Sequence, residues 1–508
     1  MYRKLFLAFS SSADERGKTE VKSVIIYGKY TKDTTLASIA TIILSLKGII
    51  LLPILTKALG AELYGIWSQI LVTIALLTPL ALLQLNQAMI RFLAAEEDKR
   101  KVSQGLFSIF SAISIFTAIL SFAMFIIAKP LAIVIFGDAN AQPFIQIAAF
   151  VLFLNVIDQV VLGYFRAFRQ MKKYSIFITL QTVIEISLIT YFVLSLGLEL
   201  SGALYSLLVA KGIILIVGLL LIISEIKIVT PSITLLKPYL AFSLPLIPFM
   251  LCAWIVTLSD RYIIGYFMNM NAVGVYSAAY SLGNLVQLFI APFWIVLFPT
   301  VTNLYEHGQI QEIKTHLKYS LKLFLMFAIP VFFGLSVLSQ SLLDILTTSE
   351  FSRGYLIIPI VSLAVVLFGS SSILGNTLML LKKTKTIALI YGGSALINIM
   401  LNIALVPSIG ILGAAIATLA TFTLHLIVIS KISYRRLLFG IDLKFIIKSI
   451  ISSLVMGVIV SLLNFGGVIS IIISIVSGVV TYFGTLILLK GFTRGEYIFL
   501  KNILRSVF

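Results

Sequence analysis

Fourteen apolar stretches of transmembrane length run through this chain, and its positive charge falls in alternate gaps between them. A bilayer core takes about 20 predominantly apolar residues per helix, and the stretches, from 36–57 to 468–490, have that length. In hydrocarbon every backbone N–H and C=O must be paired within the protein, which selects helices for segments this long. The expected fold is an all-α membrane protein of about 14 transmembrane helices.

The basic residues predict which way it faces. Of 38 Lys and Arg, 32 lie in the N-terminal tail, in or at the edges of the even-numbered gaps, and in the C-terminal tail. The odd-numbered gaps hold only Lys57, Lys129 and Arg353. An excess of Lys and Arg marks cytoplasmic loops, so the reading is a multi-pass protein of the cytoplasmic (inner) membrane with both termini in the cytoplasm. The net charge of +18 follows from the same bias; it points to anionic membrane lipids, not nucleic acid. A 60% apolar composition and a mean hydropathy of +1.09 exclude an ordinary soluble domain. The N-terminus is too polar for a secretory signal, and a lone cysteine, Cys252, permits no internal disulfide.

The chain contains a weak copy of itself. Gly65-Ile66-Trp67-Ser68 is echoed by Gly274-Val275-Tyr276-Ser277, 209 residues on. Ser201-Gly202-Ala203 is echoed by Leu412-Gly413-Ala414, and Lys172-Lys173-Tyr174-Ser175 by Lys383-Thr384-Lys385-Thr386, both at offset 211. Pro79 and Pro292 fall at matching depth in spans 2 and 8. These matches divide the chain into a cytoplasmic N-terminal tail (1–34), a first six-helix lobe (35–230), a second six-helix lobe (235–431), an appended helix pair (445–490) and a cytoplasmic C-terminal tail (491–508). Six is even, so the pseudo-repeated lobes share one orientation, as in parallel-repeat transporters, with a substrate path expected between them.

Six ionisable residues sit inside spans: Lys47, Glu185 and Lys211 near the middle, Asp158 nearer the cytoplasmic end, and Asp260 and Arg261 towards the outer end. Each costs roughly 2.5–3.5 kcal/mol at a helix centre, so such groups face a bundle interior or a wet cavity. Lys47 and Lys211 suit an anionic group such as phosphate; the competing reading is neutralisation, for example Lys211 by Glu185. Asp158 and Glu185 are candidates for proton or sodium coupling, or for structural pairing. Asp260 and Arg261 project about 100° apart on a helix, so they are expected not to pair with each other. Each then serves a gate or cavity, or anchors the outer interface. Span 2 carries Gln69, Thr73, Gln84 and Gln87 on one face, and span 8 carries Tyr276, Tyr280, Asn284 and Gln287. Such stripes suit sugar binding or hydrogen bonding between helices. There is no phosphate loop, HExxH or paired CxxC, so no cofactor, no metal and no enzymatic activity are expected.

The residue strings resemble a known family. Leu59-Gly60-Ala61-Glu62-Leu63-Tyr64-Gly65, Ser259-Asp260-Arg261-Tyr262-Ile263-Ile264-Gly265 and Asn402-Ile403-Ala404-Leu405-Val406-Pro407 with the following Gly410–Thr418 are similar to strings in prokaryotic polysaccharide flippases of the Wzx type. These belong to the wider MOP group with MATE exporters and lipid II flippases. The resemblance implies a substrate, an oligosaccharide on a polyprenyl phosphate or pyrophosphate, moved by alternating access through a cationic cavity. It implies that Lys47 and Lys211 contact the phosphate or an acidic sugar, that an ion gradient drives the cycle, and that polymerases or glycosyltransferases are partners. The alternatives are a MATE-like ion-coupled drug or small-solute antiporter, which predicts an acidic cavity where three of these six charges are basic, and a lipid II flippase, which differs only in headgroup. A membrane polymerase would need a substantial outer loop, and none is present.

Overall fold

The computed structural model describes residues 15–94, 96–437, 440–464 and 466–492. The expected tails lie outside these residues at 1–14 and 493–508. Every regular element among the described residues is helical.

A helical run, Glu15–Ala81, breaks at Gly60 into α1 (15–59) and α2 (61–81). Gly60 has φ 69° and ψ 179°, a conformation essentially reserved for glycine. The break is needed: at about 1.5 Å per residue a straight 40-residue helix would be about 60 Å long, twice the bilayer core. Then follow α3 (Lys99–Ile126), α4 (Gln142–Ala167), α5 (Met171–Thr190) and α6 (Glu199–Glu225). Span 7, α7, is assembled from Ile233–Ser243, Ile247–Leu258 and Asp260–Phe267, and span 8, α8, from Met270–Gly283, a 3₁₀ stretch Asn284–Phe289 and Ala291–Glu306. The remainder are α9 (Ile310–Val337), α10 (Ile357–Leu380), α11 (Thr384–Ile409), α12 (Ile411–Arg436), α13 (Leu443–Leu462) and α14 (Gly467–Leu488).

Among the described residues, twelve helical segments are long and apolar enough to cross a membrane. One of them, Ile42–Ala81, covers both α1 and α2, and the interrupted α8 is not among them. Including both gives the fourteen spans read from the sequence. Prolines adjoin the interruptions, since proline removes a helical hydrogen bond. After Pro79 the chain turns at Leu82–Gln84, with Leu83 and Gln84 at positive φ. Pro292 opens the helix that follows the 3₁₀ stretch.

The two copies meet on each other. A Cβ on Gly65 would lie 1.9 Å from the carbonyl oxygen of Met270, and a Cβ on Gly274 would lie 1.9 Å from that of Ala61. Backbone therefore packs on backbone, which only glycine allows at both positions. One turn further on, Ser68 Oγ donates to Ser277 Oγ at 2.7 Å, again across 209 residues. A residue touching its own counterpart is what a local two-fold relation requires. The neighbouring turns close over this seam: the Glu350 carboxylate accepts from Ala61 N at 2.9 Å, and Thr56 Oγ1 donates to Leu346 O at 3.2 Å. The offset drifts along the chain. Arg169 and Lys382, both at φ 54°, make the same tight turn between α4 and α5 and between α10 and α11, so the backbone matches there at 213, against the 211 of the residue strings. The appended pair docks on α9: Lys322 Nζ donates to Asp442 Oδ2 at 3.1 Å, and Tyr482 OH donates to Met326 O at 2.8 Å.

Candidate functional site

Four of the deep charges converge. Lys47 on α1 donates to Glu185 Oε2 on α5. Lys211 Nζ on α6 lies 3.6 Å from Glu185 Oε1 and 4.0 Å from Asp158 Oδ2 on α4. Neutral groups complete the cluster. Lys211 donates to Asn155 Oδ1 at 3.1 Å, and Gln181 Nε2 donates to Glu185 Oε1 at 3.0 Å and Asp158 Oδ2 at 3.4 Å. Asn155 in turn donates to Thr78 Oγ1 at 3.2 Å, tying α4 to α2. Two cations face two carboxylates, so their charges balance, and buried charge is tolerated in hydrocarbon when paired in this way. Lys211 thus has the carboxylate partner that the neutralisation reading named.

Among the described residues, the second half does not repeat this cluster. At the offset of 213 set by the tight turns, Glu185 corresponds to Asn398, Asp158 to Ser371 and Gln181 to Ser394. There, Ser394 Oγ meets His425 Nδ1 at 2.9 Å, and Asn398 Nδ2 donates to Thr421 Oγ1 at 3.3 Å. The charge asymmetry sits on a symmetric backbone.

Asp260 and Arg261 correct the sequence expectation, because they pair with each other: Arg261 Nη1 donates to Asp260 Oδ1 at 2.6 Å. The helix is interrupted at Ser259, and the Tyr262 N–H bonds the Ser259 carbonyl at 3.0 Å, a tighter turn than the α-helical 100° step assumes. The guanidinium also folds back one turn to the Thr257 carbonyl, at 2.9 Å. Tyr276 donates to Asp260 Oδ2, and Arg261 lies 4.0 Å over the Tyr280 ring. The pair is thereby buried and bonded between α7 and α8.

Three cavities meet around Lys47 and Gly48. One of about 360 Å³ lies between the halves, lined by Lys47, Tyr64, Trp67 and Ser68 on one side and by Arg261 and Ser277 on the other. A second, about 250 Å³, lies within the first half and takes in Lys47, Glu185, Lys211, Arg166 and Tyr174. A third, about 210 Å³, brings Asn284 and Gln287 against Gly48. The polar stripe of α2 lines none of these three. Gln69, Thr73 and Gln84 are buried, and Thr73 Oγ1 hydrogen-bonds Tyr262 OH at 2.7 Å, across to α7. Tyr280 stacks under Arg261. Asn155, Gln181 and Arg166 were not singled out from the sequence. Asn155 lies three residues before Asp158, and Gln181 four residues before Glu185, each about one turn away on the same helix. That spacing was the available signal.

Fold and site together define a helical bundle of membrane-span length with charged side chains lining its cavities. The family model described as "Polysaccharide biosynthesis protein" matches residues 30–305, more than half of the chain, and the chain belongs to that family. A second model, MatE, matches residues 245–404. Among curated proteins, the "Probable low-salt glycan biosynthesis flippase Agl15" of Haloferax volcanii is 27% identical over 235 residues, 46% of this chain and 49% of that protein. The "Probable flippase AglR" of the same organism is 31% identical over 170 residues, 32% of this chain and 35% of that protein. The matches thus span half or less of these relatives. Among solved structures, "Lipid II flippase MurJ, inward closed conformation" superposes with a TM-score of 0.73 at 17% identity, covering 92% of this chain and all of that one. An inward-facing multidrug resistance MATE family transporter of the MOP superfamily superposes at 0.65 and 16% identity, covering 78% and 94%. At these identities the likeness is one of fold.

Proposed function

We propose that this protein is a flippase that carries polyprenyl-(pyro)phosphate-linked oligosaccharide units across the cytoplasmic membrane, for surface polysaccharide or glycan assembly. The observation that carries the reading is a cavity between the halves with Lys47 on one wall and Arg261 on the other, in a chain of the polysaccharide biosynthesis family. The cations suit a phosphate headgroup, while the prenyl tail stays in the bilayer. Segments 35–230 and 235–431 are the two bodies that rock against each other, and α13–α14 ride on the second. Both termini face the cytoplasm, where the headgroup is assembled. Lys47, Lys211 and Arg261 attract the phosphate, and Asn284 and Gln287 offer hydrogen bonds to the sugars. Gln69, Thr73, Gln84 and Tyr280 support this wall from behind. Asp158 and Glu185 are the groups available for proton or sodium coupling, and Asp260 holds Arg261 in place for gating. The chain transports and does not catalyse; membrane lipids surround it, and polymerases or glycosyltransferases act on either side of its step.

The test is translocation in sealed proteoliposomes, with a labelled polyprenyl-pyrophosphate oligosaccharide whose outside accessibility is followed in time. Wild type should move it faster than protein-free vesicles, and Lys47→Ala should slow it at least tenfold, which corresponds to ~1.4 kcal/mol. No movement under a proton or a sodium gradient would refute the substrate class. Movement of a cationic drug in its place would favour the antiporter reading that the MatE match supports.

A further inference from the structure

We propose that Glu185 is a built-in stand-in for the substrate's anion, holding Lys47 at the mouth of the cavity until a phosphate or pyrophosphate displaces it. The idea rests on the flippase reading above and specifies how its site discriminates. Within the charged cluster, Lys47 alone lines both the cavity between the halves and the cavity inside the first half. It is also the loosest member: its side chain is 25% exposed, against 2% for Glu185 and 11% for Lys211.

The hydrogen bonds divide so that Lys47 can leave without stranding its partner. Lys47 occupies Glu185 Oε2, while Glu185 Oε1 accepts from Gln181 at 3.0 Å and faces Lys211 at 3.6 Å. Lys211 is fixed independently by Asn155 at 3.1 Å and Asp158 at 4.0 Å. If Lys47 swings toward the inter-half cavity, Glu185 still has a cation and an amide donor. That matters because a buried charge that loses its only partner is heavily penalised. The lysine stem is flexible, and its ammonium acts as a point charge with no directional fork to realign.

An internal competitor sets a threshold. A ligand carboxylate offers Lys47 the same chemistry that Glu185 already provides, so it gains little by exchange. A pyrophosphate bridging prenyl chain and sugar carries two charges and more acceptor oxygens, so it wins. Specificity is a difference of affinities, and here the reference state is written into α5. The site should therefore prefer phosphorylated prenyl chains over acidic groups of single charge, acidic sugars included.

The experiment uses the full-length protein in detergent, with Trp254 and Trp294 replaced by Phe throughout, and reads the fluorescence of Trp67, which lines the same cavity. The probes are a short-chain prenyl pyrophosphate and the prenyl carboxylate of equal length, titrated into wild type, Glu185→Gln, Lys47→Gln and the double variant. Wild type should bind the pyrophosphate and discriminate against the carboxylate. Glu185→Gln should bind the pyrophosphate about tenfold tighter, equivalent to ~1.4 kcal/mol, and should now accept the carboxylate. The double variant should bind neither, although its cluster is again free of a stranded partner for Lys47. Where Glu185→Gln does not yield folded protein, Glu185→Asp, which shortens the reach, should shift affinity in the same direction. Unchanged or weaker pyrophosphate binding in the Glu185 variants, with normal wild-type binding, overturns the exchange and leaves the flippase reading standing. Recovery of binding in the double variant would make the pair structural only and overturn the exchange too. Failure of wild type to bind the pyrophosphate at all overturns both.

Discussion

Glu185 holds two lysines from two helices, and truncating either should have different consequences. Lys211 is buried among Asn155, Asp158 and Glu185, so Lys211→Ala leaves two carboxylates facing one remaining cation. Breaking a buried pair costs about 3–5 kcal/mol, and thermal unfolding in detergent should show a large loss for this variant. Lys47→Ala removes a half-buried cation at the cavity edge and should cost much less stability while slowing translocation. Asp260→Ala should resemble Lys211→Ala, because Arg261 would be left buried without a carboxylate, facing the Thr257 carbonyl and the Tyr276 and Tyr280 rings. The deep charges were legible because each stands out in an apolar stretch. Their partners were less so. Pairing of Lys211 with Glu185 could be weighed as a possibility, but the Asp260–Arg261 pair could not be read from helix geometry. It depends on an interruption at Ser259 and on an arginine long enough to fold back one turn.

Helices were easy to place; their interruptions were not. A twenty-residue apolar run is a strong signal for a span, but the same run gives no sign that α8 passes through a 3₁₀ stretch at Asn284–Phe289. Glycine is the partial exception. Gly65 and Gly274 were singled out as repeat markers, and the crossing of α2 and α8 gives their physical reason. Gly65→Ala or Gly274→Ala must push the two helices apart. Either should raise the rate at which a thiol reagent labels a cysteine placed at Ser68, compared with the same cysteine in the parent chain. The docking of α13 yields a pH prediction. Asp442 accepts from the Phe445 N–H at 3.0 Å, which caps α13, and faces Lys322. Burial pushes its carboxyl up, but the Phe445 N–H, Lys322 and Lys318 outweigh that and hold it below the usual range. A depressed carboxylate stabilises the fold above its unfolded value, about 3.9, and that stability is lost as pH falls through the folded value. Asp442→Ala should therefore cost about 1 kcal/mol of stability at pH 7, the worth of the cap, read as a lower melting temperature, and the gap to wild type should narrow progressively once pH drops below about 4.

At the scale of the molecule the sequence carried the two-fold relation further than any single contact. The offset of 209 predicted from two four-residue strings recurs as a direct bond between Ser68 and Ser277. Drift of the offset to 213 at the tight turns was not visible, because the basic residues there align by charge at 211 while the backbone aligns by its positive-φ position. The sequence places Lys47, Asp158, Glu185 and Lys211 all in 35–230; what pattern alone could not convey is that they converge in one cluster. Under the proposed rocking of two bodies, the halves must part at the glycine seam to release substrate on the far side. In a Cys252→Ala background, Ser68→Cys and Ser277→Cys place two thiols where the hydroxyls now lie 2.7 Å apart. The decisive measurement is translocation of a labelled polyprenyl-pyrophosphate oligosaccharide by this variant in sealed proteoliposomes, before and after oxidation. Alternating access predicts flipping in reducing buffer, its loss when the disulfide forms, and its return with reductant. Flipping that continues with the seam locked would contradict the mechanism, and the absence of flipping in both conditions, with a wild-type control equally inactive, would contradict the function.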